Sequence, residues 1–254
     1  MKTRLTGVLL TVCLGVVAID AQTPEERTGA RQLMAKHGDA VITVLGTTKV
    51  RINQGGREVQ NRDERVQALA TILDGSGLAV MSLTALDPSD LLESSLARGR
   101  GAGSGITVTT EPSNLRYRTA DGKEIPARLV LRDKDLDLAF LRPTERPVTP
   151  MPAVDAMPAR PAPIDLLVVL QRFPEVAGWQ ATALFASVQA VVEKPRLFYI
   201  VNSGAFGAPV FDTSGLFVGI VLRLKNDTGD GPAAPPIVLP ATDIREVAKQ
   251  AAAS

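Results

Sequence analysis

The stretch from Pro143 to Pro163 contains seven prolines, both ends included, and few large apolar residues. Each proline removes a backbone N–H and fixes φ, so neither a helix interior nor a paired central strand can occupy that stretch. The chain must place one folded unit before it and another after it, joined by an extended connector. On both sides the pattern is that of short strands. Upstream, residues 40–45, 49–53, 66–73, 78–82, 106–110, 115–118, 125–131 and 136–141 are β-rich, and Asn53-Gln54-Gly55-Gly56, Asp74-Gly75-Ser76-Gly77 and Asp121-Gly122 supply turns. Downstream, residues 164–171, 180–187, 188–192, 197–201, 210–211, 216–222 and 237–239 read the same way. Residues 94–105, rich in Gly, Ser and Arg, read as a mobile surface loop, and residues 225–232 as a polar turn.

Two helices frame these strands. Thr23-Pro24-Glu25-Glu26 is a helix start, with threonine as N-cap, proline in the first turn and glutamate three residues on. Ala30, Leu33 and Met34 form its apolar stripe and Gly38 its stop. After Pro240, a final helix carries Ile244, Val247, Ala248 and Ala251 on one face. The chain thus divides into residues 1–21, an N-terminal helix over 22–39, a β unit over 40–142, the connector 143–163, a second β unit over 164–240 and a terminal helix over 241–254. An all-β fold of two packed antiparallel barrels with short N- and C-terminal helices is expected.

The first 21 residues form a targeting segment. Met1-Lys2-Thr3-Arg4 is a basic head, residues 5–19 are almost wholly apolar, and the small residues Ala18 and Ala21 offer cleavage sites. That is the layout of a secretory signal peptide, and the run is short of the ~20 residues of a membrane span. A secreted or periplasmic location is expected. The single cysteine, Cys13, lies inside this segment and follows Val12, where a lipid-modified cysteine would need a small residue. The mature chain then has no disulfide and no thiolate chemistry. A net charge of +1 at pH 7 gives no reason to invoke nucleic acid. No metal or other cofactor is expected, because no carboxylate cluster has a ligand spacing.

The functional signal lies in Asn202-Ser203-Gly204-Ala205-Phe206-Gly207-Ala208-Pro209, a turn of small residues between two apolar runs. Glycines let successive backbone N–H groups point to one side, forming a nest suited to a developing oxyanion. A nucleophile belongs at the centre of such a nest, and the residue there is Phe206. The segment resembles the active-site loop of trypsin-like serine proteases of the HtrA/Deg type, Asn-Pro-Gly-Asn-Ser-Gly-Gly-Pro. Gly204, Gly207, Pro209, Gly215 and Gly219 match in place, Ala205 stands for the asparagine and Phe206 for the serine. The resemblance covers roughly residues 39–249 and implies two six-stranded barrels with the site in the crevice between them. With the chain ending in a helix, no PDZ module is expected to follow.

The resemblance implies the other site positions too. Asp74-Gly75-Ser76-Gly77-Leu78-Ala79-Val80 matches the family's Gly-Ser-Gly strand, after which Thr84 stands at the histidine. A threonine hydroxyl has no pKa near neutrality and cannot act as the base. Asp137, in Asp137-Leu138-Ala139-Phe140-Leu141, falls on the triad aspartate and is expected to take a donor such as the Thr84 hydroxyl, or solvent. The one histidine, His37, is expected at the surface near a helix C-terminus, away from the site. Ser203 and Ser214 are displaced-nucleophile candidates without a base in sequence reach. Asp227-Thr228-Gly229 and Asp212-Thr213-Ser214-Gly215 are poor matches to an aspartic-protease triplet, and Asn226-Asp227-Thr228 is a glycosylation sequon by pattern alone.

In a serine protease, loss of the serine or histidine alone costs about a million-fold in turnover. The expected reading is therefore a protease shell without its chemistry, with no intact catalytic residue at Thr84 and Phe206. The oxyanion-like loop of Gly204, Ala205, Phe206 and Gly207 is retained, with Phe206 narrowing the crevice mouth. Its partner is expected to be an extended peptide or a protein. The alternatives are an active serine endopeptidase with a non-standard site, which must use His37, and a structural or assembly domain.

Overall fold

The computed structural model describes residues 22–100, 105–224 and 234–253. Residues 1–21, expected to be a signal peptide, the expected polar turn 225–232, the sequon and the Asp227-Thr228-Gly229 string lie outside the described residues. Helix α1 (Pro24–His37) opens with the expected capping box: Glu26 N–H donates to Thr23 Oγ1 (3.2 Å) and Thr23 N–H to Glu26 Oε2 (2.7 Å). Then come β1 (Val41–Gln54), β2 (Arg57–Ile72), β3 (Ala79–Ser82), a single turn α2 (Leu83–Leu86), α3 (Ser89–Arg100), β4 (Ile106–Arg118), β5 (Glu124–Asp133) and β6 (Leu138–Pro143). Beyond the connector follow β7 (Leu166–Arg172), β8 (Ala181–Val192), β9 (Phe198–Val201), β10 (Pro209–Asp212), β11 (Phe217–Arg223), β12 (Pro236–Pro240) and α4 (Ala241–Ala252).

The strands close into two antiparallel six-stranded barrels, β1-β2-β3-β6-β5-β4 and β10-β11-β12-β9-β8-β7. This is the expected fold class. Several short segments merge into longer strands. The register shifts in β1 between Leu45 and Thr47 and in β8 between Val188 and Ala190, and such bulges bend a continuous strand around a small barrel. Ile164, expected to open a buried strand, is exposed with φ 76° and belongs to the turn before β7.

Within the loop expected over residues 94–105, residues 94–100 are instead helical, because α3 runs to Arg100, and residues 101–104 lie outside the described residues. Its start is held by Asp87, whose carboxylate accepts from the Ser89 N–H (3.2 Å), the Ser89 hydroxyl (2.6 Å) and the Thr110 hydroxyl. Leu92 and Leu96, four residues apart, pack on Val50, Ile52, Ile106 and Val108. Two leucines on one face suffice because the long β1–β4 ribbon supplies the other half of this small core.

The continuous apolar runs of the sequence correspond to strands buried on both faces. In β3 and β6, Ala79, Met81, Ala139 and Leu141 fill the first barrel, while Val80, Leu138 and Phe140 face the second. In β7, Leu167 and Val169 point into the second barrel, while Val168 and Leu170 join the shared core between barrels. Alternating side chains thus serve two cores at once. The amphipathic faces of α1 and α4 close this shared core with Ala30, Leu33, Ile244 and Ala251.

Polar clamps fix one barrel against the other. Arg172 of β7, with only 7% of its side chain exposed, donates from Nε to the Val41 carbonyl (2.6 Å) and from Nη2 to the Gly38 carbonyl (2.9 Å). Thr71 of β2 donates its hydroxyl to the Gly207 carbonyl (2.8 Å). A Cβ on Gly207 would overlap the Leu69 carbonyl oxygen, so the glycine is what lets the loop approach β2.

Candidate functional site

The site assembles where β3, the β5–β6 turn and the end of β11 meet. The Asp133 carboxylate accepts from the N–H groups of Asp135 and Leu136 (both 3.0 Å), which folds the turn. Asp137 then adopts φ 57°, a left-handed conformation that a short polar residue tolerates. Its carboxylate is buried and accepts four hydrogen bonds. Oδ2 receives the Ser82 hydroxyl (2.5 Å) and the Arg223 N–H (3.1 Å), and Oδ1 receives the Thr84 N–H and the Thr84 hydroxyl (both 2.7 Å). The Thr84 hydroxyl is the partner the sequence suggested. Ser82 and Arg223 were not foreseen.

The loop 202–208 lies in the second barrel, between β9 and β10. Phe206 N–H donates to the Gly204 carbonyl (2.9 Å), Ala208 N–H to the Ala205 carbonyl (3.0 Å) and Gly207 N–H to the Val221 carbonyl (2.8 Å). Three consecutive donors are therefore spent inside the loop and its neighbour strand, leaving no nest among Phe206, Gly207 and Ala208 for an oxyanion. Gly207 has φ 88° and Gly204 does not enter the left-handed region. The half-buried ring of Phe206 packs with Ala205 against the core of the second barrel. The Arg223 guanidinium lies over that ring at 4.5 Å, a cation–π contact. Arg223 thus links the positions, with its N–H on Asp137 and its guanidinium on Phe206.

His37 is not at the surface. It is 2% exposed, and its ring stacks on Phe211 with centroids 5.0 Å apart. Ala30, Leu33 and His37 are the buried residues of α1, spaced by three and four, so His37 continues the apolar stripe against the second barrel. That spacing was a readable signal. Among the described residues neither ring nitrogen makes a hydrogen bond of normal geometry, and no serine is paired with it. Ser203 is buried, its hydroxyl without a hydrogen-bond partner among the described residues, and the Ser214 hydroxyl donates to Asp212 (2.7 Å) in a surface turn. The candidates the sequence left open therefore have no imidazole beside them.

Burial, reinforced by repulsion from Lys36, holds the His37 pKa below its usual 6.5, while the Ala153 backbone and the Asp155 carboxylate pull the other way. A proton binds the unfolded chain first as pH falls, so stability should drop from about pH 7 downward, by at most ~1.4 kcal/mol per pH unit, until folded His37 itself protonates. His37→Phe keeps the stacking and removes the proton. Its melting temperature should change less between pH 7.5 and 5.5 than that of the wild type, measured by circular dichroism. Equal changes in the two proteins would assign the acid sensitivity elsewhere.

Comparison with known proteins agrees with this architecture. The trypsin-like peptidase domain family matches residues 102–220, a span that includes Asp137 and Phe206 and omits Thr84. Among solved structures, the HtrA-type protease AlgWS227A with decapeptide superposes with a TM-score of 0.58 at 17% identity, covering 87% of this chain and 65% of that one. The HtrA-type protease AlgW with decapeptide gives 0.55 at 17% identity (87% and 67% covered), and AlgW with tripeptide 0.53 at 17% (87% and 62%). This chain therefore spans about two thirds or less of the length of these proteins. No curated protein sequence matches it. Two closed six-stranded barrels, a connector between them and a terminal helix together give this chain the trypsin-like double-barrel fold of the HtrA-type proteases.

Proposed function

We propose that this chain is an exported, catalytically inert trypsin-like domain that holds an extended peptide or protein segment. The observation that carries the reading is the saturation of Asp137. The carboxylate that would orient an imidazole is taken up by Ser82, Thr84 and Arg223. An aspartate without an imidazole cannot make a serine hydroxyl nucleophilic at neutral pH. Residual rate enhancement in a damaged serine protease, about 10³–10⁴ over water, comes from binding and the oxyanion hole. Here the Phe206 N–H is turned onto Gly204 instead. The HtrA-type structures that share the fold contain peptides, which is the reason to name a peptide as partner. The apolar leader at residues 1–21 is the reason to place the protein outside the cytoplasm.

Serine-directed fluorophosphonate labelling and a broad peptide-hydrolysis screen test the inert half of the proposal. No labelled serine and no cleavage are expected, and a single stoichiometric adduct would overturn it. The Thr84→His/Phe206→Ser double variant is expected to stay unlabelled as well, because the closed turn at Gly204 persists without the phenylalanine ring. A peptide-display screen tests the binding half, which falls if no sequence is enriched over unfolded protein.

A further inference from the structure

Away from the cleft, the first barrel carries a cavity of about 420 Å³ lined by Ser76, Arg128, Arg142, Pro143, Thr144 and Arg146. Ser76 precedes β3 and Thr84 follows it, so this cavity lies at the opposite end of that strand from Asp137. No carboxylate lines it, and none of its three arginines forms an ion pair among the described residues. Other arginines of the same barrel do: Arg51 with Glu111, Arg116 with Glu124 and Arg132 with Asp87. The nearby Asp74 carboxylate is already engaged by the Ser76 N–H (2.8 Å) and hydroxyl (2.6 Å).

The arrangement runs against what the barrel needs for its own stability. Arg128 of β5 and Arg142 of β6 are direct register partners. Like charges facing each other across an antiparallel pair repel, and at such positions a carboxylate opposite the arginine would stabilise the sheet. Arg142 is also partly buried, and among the described residues its Nε has no hydrogen-bond partner and its one side-chain hydrogen bond is a long one (3.5 Å) from Nη2 to the Ala252 carbonyl. Arg146 adds a third positive charge from the connector. Three arginines lining one cavity, one with a buried unused donor, bring the side-chain type whose paired N–H groups tetrahedral oxyanions accept in bidentate fashion.

We propose that this cavity is an anion site for a small soluble ligand bearing at least two phosphate-type or sulfate-type charges, bound by Arg128, Arg142 and Arg146. The inference is independent of whether the cleft is catalytic. Titration calorimetry of the full-length protein with inorganic pyrophosphate at low ionic strength is the test, with citrate as a carboxylate comparison. Saturable binding is expected, stronger for pyrophosphate than for citrate, and weakened roughly tenfold or more by Arg128→Gln or Arg142→Gln. Arg57→Gln, at the far hairpin, should leave it unchanged. In anion-free buffer Arg128→Gln should raise the melting temperature, since it removes the cross-strand repulsion. A site and a purely structural arginine pair are thereby separated, because only a site gains stability while losing ligand. No saturable heat with folded protein, or pyrophosphate binding unaltered in the Arg128→Gln/Arg142→Gln double variant, would overturn the proposal.

Discussion

Asp137→Ala is expected to cost about 3–5 kcal/mol of folding stability, because each buried donor left without a partner costs roughly 1–3 kcal/mol. The variant strands the Ser82 hydroxyl, the Thr84 N–H and hydroxyl and the Arg223 N–H together, with only partial relaxation available in a site this buried. For a domain of this size the loss corresponds to a fall in melting temperature of roughly 8–15 °C. Asp137→Asn should lose less, since its carbonyl oxygen still accepts while its amide meets donors with a donor. Thermal unfolding followed by circular dichroism measures both. A melting temperature for Asp137→Ala within about 1 °C of wild type would show that the four bonds contribute nothing net. In a working triad the aspartate orients the base. Here its partners come from β3, α2 and β11, so its removal should be felt in the packing of one barrel on the other.

The second large effect separates two glycines of one loop. Gly207→Ala places a Cβ into the Leu69 carbonyl oxygen at a backbone φ of 88°, where an L-residue is strained as well. The left-handed conformation alone costs about 1–2 kcal/mol. Relief of the overlap requires the loop to move off β2, which breaks the Thr71–Gly207 hydrogen bond, and a further 1–3 kcal/mol is at stake in that buried carbonyl. A total of about 3–5 kcal/mol, or failure to fold, is expected. Gly204→Ala should stay within about 0.5 kcal/mol, because its Cβ meets nothing within 4 Å and its φ is ordinary. Urea unfolding of the two variants decides the matter. Equal midpoints would mean that the loop does not hold the barrels together.

The contrast bears on what a pattern of glycines means. Gly204 and Gly207 match the active-site loop equally well as letters. Only Gly207 is required by close approach, and the approach is to a strand of the other barrel. The three N–H groups that follow Ala205 are consumed by carbonyls of Gly204, Ala205 and Val221. A loop with the spacing of an oxyanion nest has become a docking surface between barrels.

Much of the fold was legible locally. The capping box of α1 lies within four residues, the proline connector within a single stretch, and turn glycines such as Gly122 with φ 83° sit where hairpin chemistry requires them. The helix α3 was not, since its apolar face is two leucines and its other half is a β-ribbon distant in sequence. His37, expected at the surface because a charge there suits the helix dipole, is buried because it falls four residues after Leu33 on the apolar face of α1. Thr84 as a partner of Asp137 came from the resemblance. Ser82 and Arg223 could not come from any local signal, because they lie 55 and 86 residues from the carboxylate they share with it.

By itself, then, the sequence determined the two-barrel class, the strand periods and the residue types at Thr84, Asp137 and Phe206 that the resemblance singles out. These follow from backbone chemistry and side-chain identity, which need no partner. Tertiary structure alone decided that Asp137 is saturated, that the glycine loop is closed, that His37 is buried and that three arginines face one cavity. Each of those depends on donors and charges brought together from distant segments, and closing two barrels against each other is what sets their distances.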